Sequence, residues 1–171
     1  TAYQKTQTAK TVTDYTDVID LCQQAEATSL TAAQSKYVRQ LASWAYNKRG
    51  EAYVDQAATA LESGDKQRAA QLDTKALANF EQSVENDVTR WKAIHNRGVS
   101  RALAGQYESS IKDFSRVIEL RPDYPNAWFN RAEIHYELAQ FDKAIPDYSK
   151  TIELTPDDFG AYTSRGHANF E

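Results

Sequence analysis

The chain has 171 residues, of which 41% are hydrophobic and 26% are charged, as expected for one folded domain or one array of small units. Its formal net charge of −4 argues against a nucleic-acid-binding surface, which normally needs a basic stripe. No apolar run approaches the ~20 residues that span a bilayer. The single cysteine, Cys22, excludes an internal disulfide and is expected to be a buried, unreactive thiol.

Residues 1–10 are polar and rich in Thr and Gln, so we expect a ragged terminus. Methionine is absent, even at position 1, and we expect the sequence to begin inside a longer gene product. The compartment therefore stays open between the cytoplasm and, after removal of a signal peptide, the periplasm or exterior. Residues 14–21 match residues 147–154 position for position, so 11–24 are predicted to be the second helix of a degenerate half repeat.

A longer hairpin is predicted over residues 31–90. It starts with a capping-box pattern, Thr31 followed by Gln34. The interval from Gly50 to Ala76 is 26 residues, whereas the equivalent interval in the next hairpin, from 98 to 110, is 12 residues. Shared between two helices, the 14 extra residues add close to two turns, or ~10 Å, to each helix. Whole turns preserve the packing face, which favours a lengthened hairpin with its tip at residues 63–65.

Two gapless copies of 34 residues follow, at 91–124 and 125–158, and a third, incomplete copy occupies 159–171. Asn96-Arg97-Gly98 in the first copy matches Asn130-Arg131-Ala132 in the second. Apolar residues recur at steps of three and four, which predicts two helices per copy, and a proline near position 32 ends each second helix. One such hairpin cannot bury its apolar face alone, so the copies are expected to stack.

This pattern resembles the tetratricopeptide repeat (TPR) family, in its Asn-Arg-Gly subtype, and a bacterial origin is expected. The resemblance covers about residues 11–171 and is carried by these matching positions: Trp128, Ala132, Ala144, Tyr148 and Pro156 in one copy, and Gly98, Ser110, Phe114 and Pro122 in the other. Position 11, an aromatic residue in the family, departs from the pattern because it is Arg101 or His135. The resemblance implies an all-α, right-handed superhelical solenoid of antiparallel hairpins.

In such arrays the first helices line a concave, peptide-binding groove. Carried over residue by residue, the resemblance places these side chains in it: Trp44, Asn47, Lys48, Glu51, Lys92, His95, Asn96, Asn126, Phe129, Asn130, Glu133, Tyr136, Ser164 and His167.

Two kinds of side chain in this set have the chemistry of peptide recognition. The amides of Asn96 and Asn130 can donate to a peptide carbonyl and accept from an N–H at the same time, or they can simply solvate their helices. Phe129 and Tyr136 are expected either to anchor a ligand or to cover the packed core.

Arginine recurs at repeat position 7, as Arg49, Arg97, Arg131 and Arg165. One alternative is a basic ladder that binds acidic ligands. The alternative we favour is a structural ladder that pairs with carboxylates of the second helices, for which Asp113 and Asp147 are candidates.

The carboxylate clamp by which some TPR domains hold chaperone C termini is not expected here. Of the five positions that this clamp needs, only Asn96 carries the required residue, and Glu51 would repel a carboxylate.

Catalytic and metal-binding patterns are missing as well. His95, His135 and His167 occupy different repeat positions, none at a helical i,i+4 metal spacing, and are expected to be surface or groove histidines. No cofactor, metal or active site is predicted.

The predicted function is a non-catalytic scaffold that binds an extended peptide or a partner protein, with no nucleic acid and no membrane insertion by this fragment. One alternative is a homo-oligomer formed through the truncated C-terminal repeat, whose apolar face would be uncovered. Another is a TPR appendage of a larger enzyme or of a secreted or membrane protein.

Overall fold

The computed structural model describes residues 1–170 and is all-helical over that range. The helices are α1 (Ala2–Thr6), α2 (Val12–Glu26), α3 (Ala32–Glu62), α4 (Lys66–Asn86), α5 (Trp91–Leu103), α6 (Tyr107–Leu120), α7 (Pro125–Glu137), α8 (Phe141–Leu154) and α9 (Phe159–Ala168). The chain divides into two compact units, Thr1–Asn96 (unit 1) and Arg97 onward (unit 2), with the boundary inside α5. The prediction of an all-α fold is confirmed.

Unit 1 is built on the long α3–α4 hairpin. Thr31 and Gln34 form the capping box that starts α3. The two helices run to a turn at residues 63–65, where Gly64 has a φ of +82° and the side chain of Asp65 accepts from the backbone N–H of Arg68. A glycine suits this turn because residues that carry a side chain rarely adopt a positive φ.

Small apolar clusters hold unit 1 together. Near the tip, alanines of both helices pack with Leu72. At the other end, Val18, Ile19 and Cys22 of α2 pack against α3. Cys22 is 1% exposed, and burial raises its pKa to about 11, with a further contribution from Glu26. The expected burial of this thiol is therefore confirmed, and its low reactivity stays a prediction.

The expectation of a ragged terminus at residues 1–10 is wrong in part. Residues 2–6 form α1, whose N terminus is capped by Thr1, and Ala2 packs against the α2–α3 cluster. Lys5 also pairs with Asp17 of α2. Tertiary contacts thus stabilise a helix that is too short to be stable alone.

In unit 2 the second helix of each hairpin inserts an aromatic ring beside a small residue of the first. A Cβ built on Gly98 would lie 3.0 Å from Cε1 of Phe114. In the next hairpin Ala132, Ala144 and Tyr148 form one buried cluster. The same arrangement occurs in unit 1, where a Cβ on Gly50 would lie 2.5 Å from Cε1 of Phe80.

Candidate functional site

A network of polar side chains joins the first helices of unit 1. Asn47 Nδ2 donates to Glu51 Oε1 at 2.7 Å, and Lys48 Nζ donates to Glu51 Oε2 at 2.7 Å. From α5, Asn96 Nδ2 lies 3.1 Å from Asn47 Oδ1 and 3.3 Å from Glu51 Oε1. The network therefore brings together four of the predicted groove residues around one carboxylate.

The members of this network differ in exposure. Glu51 and Lys48 keep 35% and 42% of their side chains exposed, so both remain able to meet a ligand. Asn47 is only 4% exposed and its amide is hydrogen-bonded to Glu51, so little of its side chain is open to a ligand. The hydrogen bond to Glu51 raises the pKa of Lys48, so the ammonium stays charged well above neutral pH.

The other predicted residues of unit 1 vary in their surroundings. Trp44 is half-buried, with its ring 5.7 Å from that of Tyr15 in an edge-to-face contact. Lys92 is exposed, with its ammonium 5.5 Å from the Trp91 ring centroid. Burial lowers the pKa of His95, although its hydrogen bond with Asn96 opposes this, so the ring is neutral at pH 7.

In unit 2, one face of α7 carries amides, aromatic rings and a carboxylate. Phe129 and Tyr136 are half-buried and pack against the Ala132–Tyr148 cluster. They therefore cover the packed core, which is one of the two alternatives predicted for them. The Phe129 ring lies 5.9 Å from that of Tyr148, and the Tyr136 ring 5.3 Å from that of Phe141. Each ring also keeps an exposed part, so this packing leaves a ligand contact open.

The carboxylate of this face belongs to Glu133 and is held by a hydrogen bond from the buried Tyr148. Tyr148 Oη donates to Glu133 Oε1 at 2.6 Å. Burial raises the pKa of Tyr148, and the bond to Glu133 raises it further, so the phenol stays protonated and remains a donor. Asn130 and Ser164 are half-buried, whereas Asn126 and His167 are exposed.

One expectation about the histidines is wrong. His135 is 8% exposed, and its Nδ1 lies 2.9 Å from Gln140 Oε1 at the turn between α7 and α8. It occupies repeat position 11, where the family has an aromatic residue, and the imidazole ring is buried at that position. The equivalent Arg101 pairs with Asp113, its Nη1 2.9 Å from Oδ2.

The recurring arginines form the structural ladder, and the ligand-binding alternative loses its support. Arg97 binds Asp113 through two nitrogens at 3.0 and 2.6 Å, and Arg131 binds Asp147 in the same way at 2.7 and 2.8 Å. In unit 1 the equivalent partner of Arg49 is an amide, Asn79, whose Oδ1 lies 2.8 Å from Arg49 Nε.

The ladder has a second partner that sequence reasoning missed. Three of these arginines also donate to a hydroxyl on the second helix of the preceding hairpin: Arg49 to Thr16 at 3.0 Å, Arg131 to Ser115 at 2.9 Å and Arg165 to Ser149 at 3.2 Å. Each guanidinium also lies over an aromatic ring at repeat position 4, at 5.2–5.7 Å from the ring centroid. The recurrence of Thr or Ser at repeat position 25 is the sequence pattern from which these hydroxyl partners could have been predicted.

Over residues 1–170, no three His, Cys, Asp or Glu side chains are grouped as a metal site would require. None of the helices described over that range is both long and apolar enough to cross a bilayer.

Two family models match the chain. Residues 101–139 match a TPR repeat model, and residues 125–158 match the tetratricopeptide repeat model. A comparison with curated protein sequences finds no match.

Several solved structures share the fold. TTC0263, a thermophilic TPR protein of Thermus thermophilus, is 17% identical, with a TM-score of 0.61, and the match covers 94% of this chain and 93% of that one. MamA is 23% identical, with a TM-score of 0.59 and coverage of 93% and 81%. The first TPR domain of Spaghetti (RPAP3), solved with the HSP90 peptide SRMEEVD, is 15% identical, with a TM-score of 0.59 and coverage of 72% and 93%.

At these identities the likeness is one of fold, while the repeat models identify the sequence pattern in the region they cover. The chain thus has a TPR-type helical fold, and its residues 101–158 carry tetratricopeptide repeats.

Proposed function

We propose that the chain is a non-catalytic scaffold that binds an extended peptide or a segment of a partner protein on its first-helix surfaces. TPR domains are generally protein-interaction scaffolds, and two of the structural neighbours were solved with an HSP90 peptide and an HSP70 peptide, respectively. Each unit has one such surface: the Asn47–Glu51–Asn96 network in unit 1 and the α7 face in unit 2.

The α7 face is the observation that carries this proposal. Five side chains at helical spacing share it: Asn126, Phe129, Asn130, Glu133 and Tyr136. The Phe129 ring rests on the buried Tyr148 ring and the Tyr136 ring on the half-buried Phe141 ring, so a ligand meets packed apolar anchors and little side-chain freedom is lost on binding. The amides and the Glu133 carboxylate, which Tyr148 holds, can satisfy the backbone donors and acceptors of an extended chain.

A peptide selected for binding provides the test. Linear dodecapeptides would be selected from a displayed random library on the 171-residue chain. Fluorescence anisotropy would then compare the selected peptide's affinity for the wild-type chain and for the Asn130→Ala and Phe129→Ala variants. We expect Phe129→Ala to weaken binding by ~2 kcal/mol, or about 30-fold, as loss of an aromatic anchor does.

The control is Lys112→Ala, an exposed change on the second helix α6, which should leave the affinity unchanged. Circular dichroism would verify that each variant keeps its fold. If both α7 variants bind like the wild-type chain, the α7 face is not the binding surface.

A second candidate function is self-association through the C-terminal repeat. It is favoured by two aromatic residues of α9, Phe159 and Tyr162, which are 82% and 44% exposed.

A further inference from the structure

The first helices of two hairpins carry a glutamate at repeat position 9, and the two carboxylates differ in their partners. In unit 1 a cation compensates the charge, because Lys48 Nζ lies 2.7 Å from Glu51 Oε2. In unit 2 Glu133 receives a hydrogen bond from a neutral group, the Tyr148 phenol, at 2.6 Å from Oε1. Within residues 1–170, no lysine, arginine or histidine forms an ion pair with Glu133. The half-buried Glu133 carboxylate therefore keeps an uncompensated negative charge.

The positive charges closest to Glu133 in the repeat pattern are engaged by other groups. Arg131, two residues earlier on α7, binds the carboxylate of Asp147 through two nitrogens at 2.7 and 2.8 Å. Arg165 of α9 donates to a serine hydroxyl on α8. One turn beyond Glu133, the exposed Glu137 adds a second carboxylate to α7. This part of the α7 face thus attracts cations and repels anions.

Two aromatic rings flank the carboxylate. Phe129, Glu133 and Tyr136 are spaced i, i+4 and i+7, so they lie within about 60° of one another around the helix axis. The buried Tyr148 supports this group, since its ring lies 5.9 Å from that of Phe129 and its phenol binds Glu133. Tyr136 packs against the cluster to which Tyr148 belongs. Aromatic faces attract lysine and arginine cations and cover the apolar stems of these side chains, so a carboxylate between two rings is complementary to a basic side chain.

Resting on the proposed function, we propose that the extended ligand carries an arginine or lysine whose cation binds Glu133 between the rings of Phe129 and Tyr136. The Tyr148 phenol orients Oε1 of Glu133, and Oε2 is left for the ligand. The methylene stem of the basic residue packs on the two rings, while its charge meets the carboxylate. The α7 face therefore selects a basic segment and rejects an acidic one.

A double-mutant cycle between the chain and its peptide tests this specificity. The dodecapeptides selected on the 171-residue chain should be enriched in arginine and lysine. Fluorescence anisotropy would compare the wild-type chain and Glu133→Gln, each with a selected peptide and with derivatives in which each basic residue in turn is glutamine. We expect Glu133→Gln to weaken binding of the selected peptide about tenfold, and one glutamine derivative to bind both chains with equal affinity.

Two further variants control for fold and for charge. In Glu133→Gln the new amide oxygen still accepts from Tyr148, so the packing is preserved, as circular dichroism would verify. Glu153→Gln makes the same change on the second helix α8, at a side chain that is 67% exposed, and should leave the affinity unchanged. Glu133→Lys should reverse the preference, so that a peptide with glutamate in place of the basic residue binds more tightly than the selected peptide.

The outcomes separate this specificity from peptide binding itself. Selected peptides without enrichment in basic residues, or equal affinities of Glu133→Gln and Glu153→Gln, would overturn cation binding by Glu133. If Phe129→Ala still weakened binding in that case, the α7 face would remain the binding surface. If neither Phe129→Ala nor Glu133→Gln changed the affinity, both the surface and its specificity would be overturned.

Discussion

Replacing the glycine at repeat position 8 by alanine should have opposite effects in different hairpins. In a helix, alanine is favoured over glycine by about 1 kcal/mol, and this gain is the same at each position. The cost of the added methyl group differs. At Gly50 a Cβ would lie 2.5, 2.8 and 3.0 Å from three atoms of the Phe80 ring, which is 1% exposed. At Gly98 the nearest atoms are at 3.0–3.2 Å, and at Gly166 there are none within 4 Å.

These distances translate into an order of stability. Overpacking costs about 1–3 kcal/mol, and the 2.5 Å contact belongs at the upper end. Gly50→Ala should therefore lower the free energy of unfolding by ~2 kcal/mol after the propensity gain is subtracted, and Gly98→Ala should change it by less than ~1 kcal/mol. Gly166→Ala should raise it by up to ~1 kcal/mol.

Urea unfolding followed by far-ultraviolet circular dichroism measures the free energy of unfolding of all three variants. Hydrogen exchange of α3 and α9 amides would show whether each effect begins in the substituted hairpin. A Gly50→Ala variant as stable as the wild-type chain, or a Gly166→Ala variant that is the least stable, would refute this account of ring packing.

Three further predictions concern other parts of the chain. Asp147→Asn should lower the free energy of unfolding by about 2–3 kcal/mol because Asp147, with 7% of its side chain exposed, pairs with Arg131. Ser115→Ala removes only one hydroxyl partner of Arg131 and should lower it by about 1 kcal/mol. Equal losses of the two variants in urea titrations would contradict the ladder. Cys22 should resist iodoacetamide at pH 8 until urea unfolds the chain, as mass spectrometry would show; since its folded pKa of about 11 exceeds the ordinary value of 9.0, its contribution to stability is present below pH 9 and is lost as the pH rises from 9 to 11. The peptide SRMEEVD should bind negligibly in anisotropy titrations. The Glu51 carboxylate already accepts the hydrogen bonds of the unit 1 amides and would repel the carboxylates of the peptide. Binding as tight as that of a selected peptide would contradict this interpretation of the network.

The hairpins of residues 91–158 were predictable because two copies align without a gap and the same small and aromatic residues recur. The long hairpin could also be predicted, since its extra residues make whole turns and Ser63-Gly64-Asp65 is a strong turn signal. α1 was not predictable in this way: a five-residue helix has no detectable period, and its contacts with α2 and α3 stabilise it.

The site was harder to predict than the fold. Spacing placed Asn47 and Glu51 on the same face of α3, but it could not show that Asn47 is buried and holds Glu51. Likewise, a histidine at position 11 is ambiguous in sequence because its burial depends on Gln140, a turn residue of the next helix. Polar side chains are positioned by partners that a periodic pattern does not specify.

The most direct test of the proposed function is to map a bound peptide on the chain. Nuclear magnetic resonance of the ¹⁵N-labelled chain, titrated with the selected dodecapeptide, would report on each backbone and side-chain amide. The account predicts the largest shift changes at Asn126, Asn130 and their neighbours on α7. Changes concentrated instead on the second helices, around Lys112 of α6 or Lys150 of α8, would contradict binding on the first-helix surfaces.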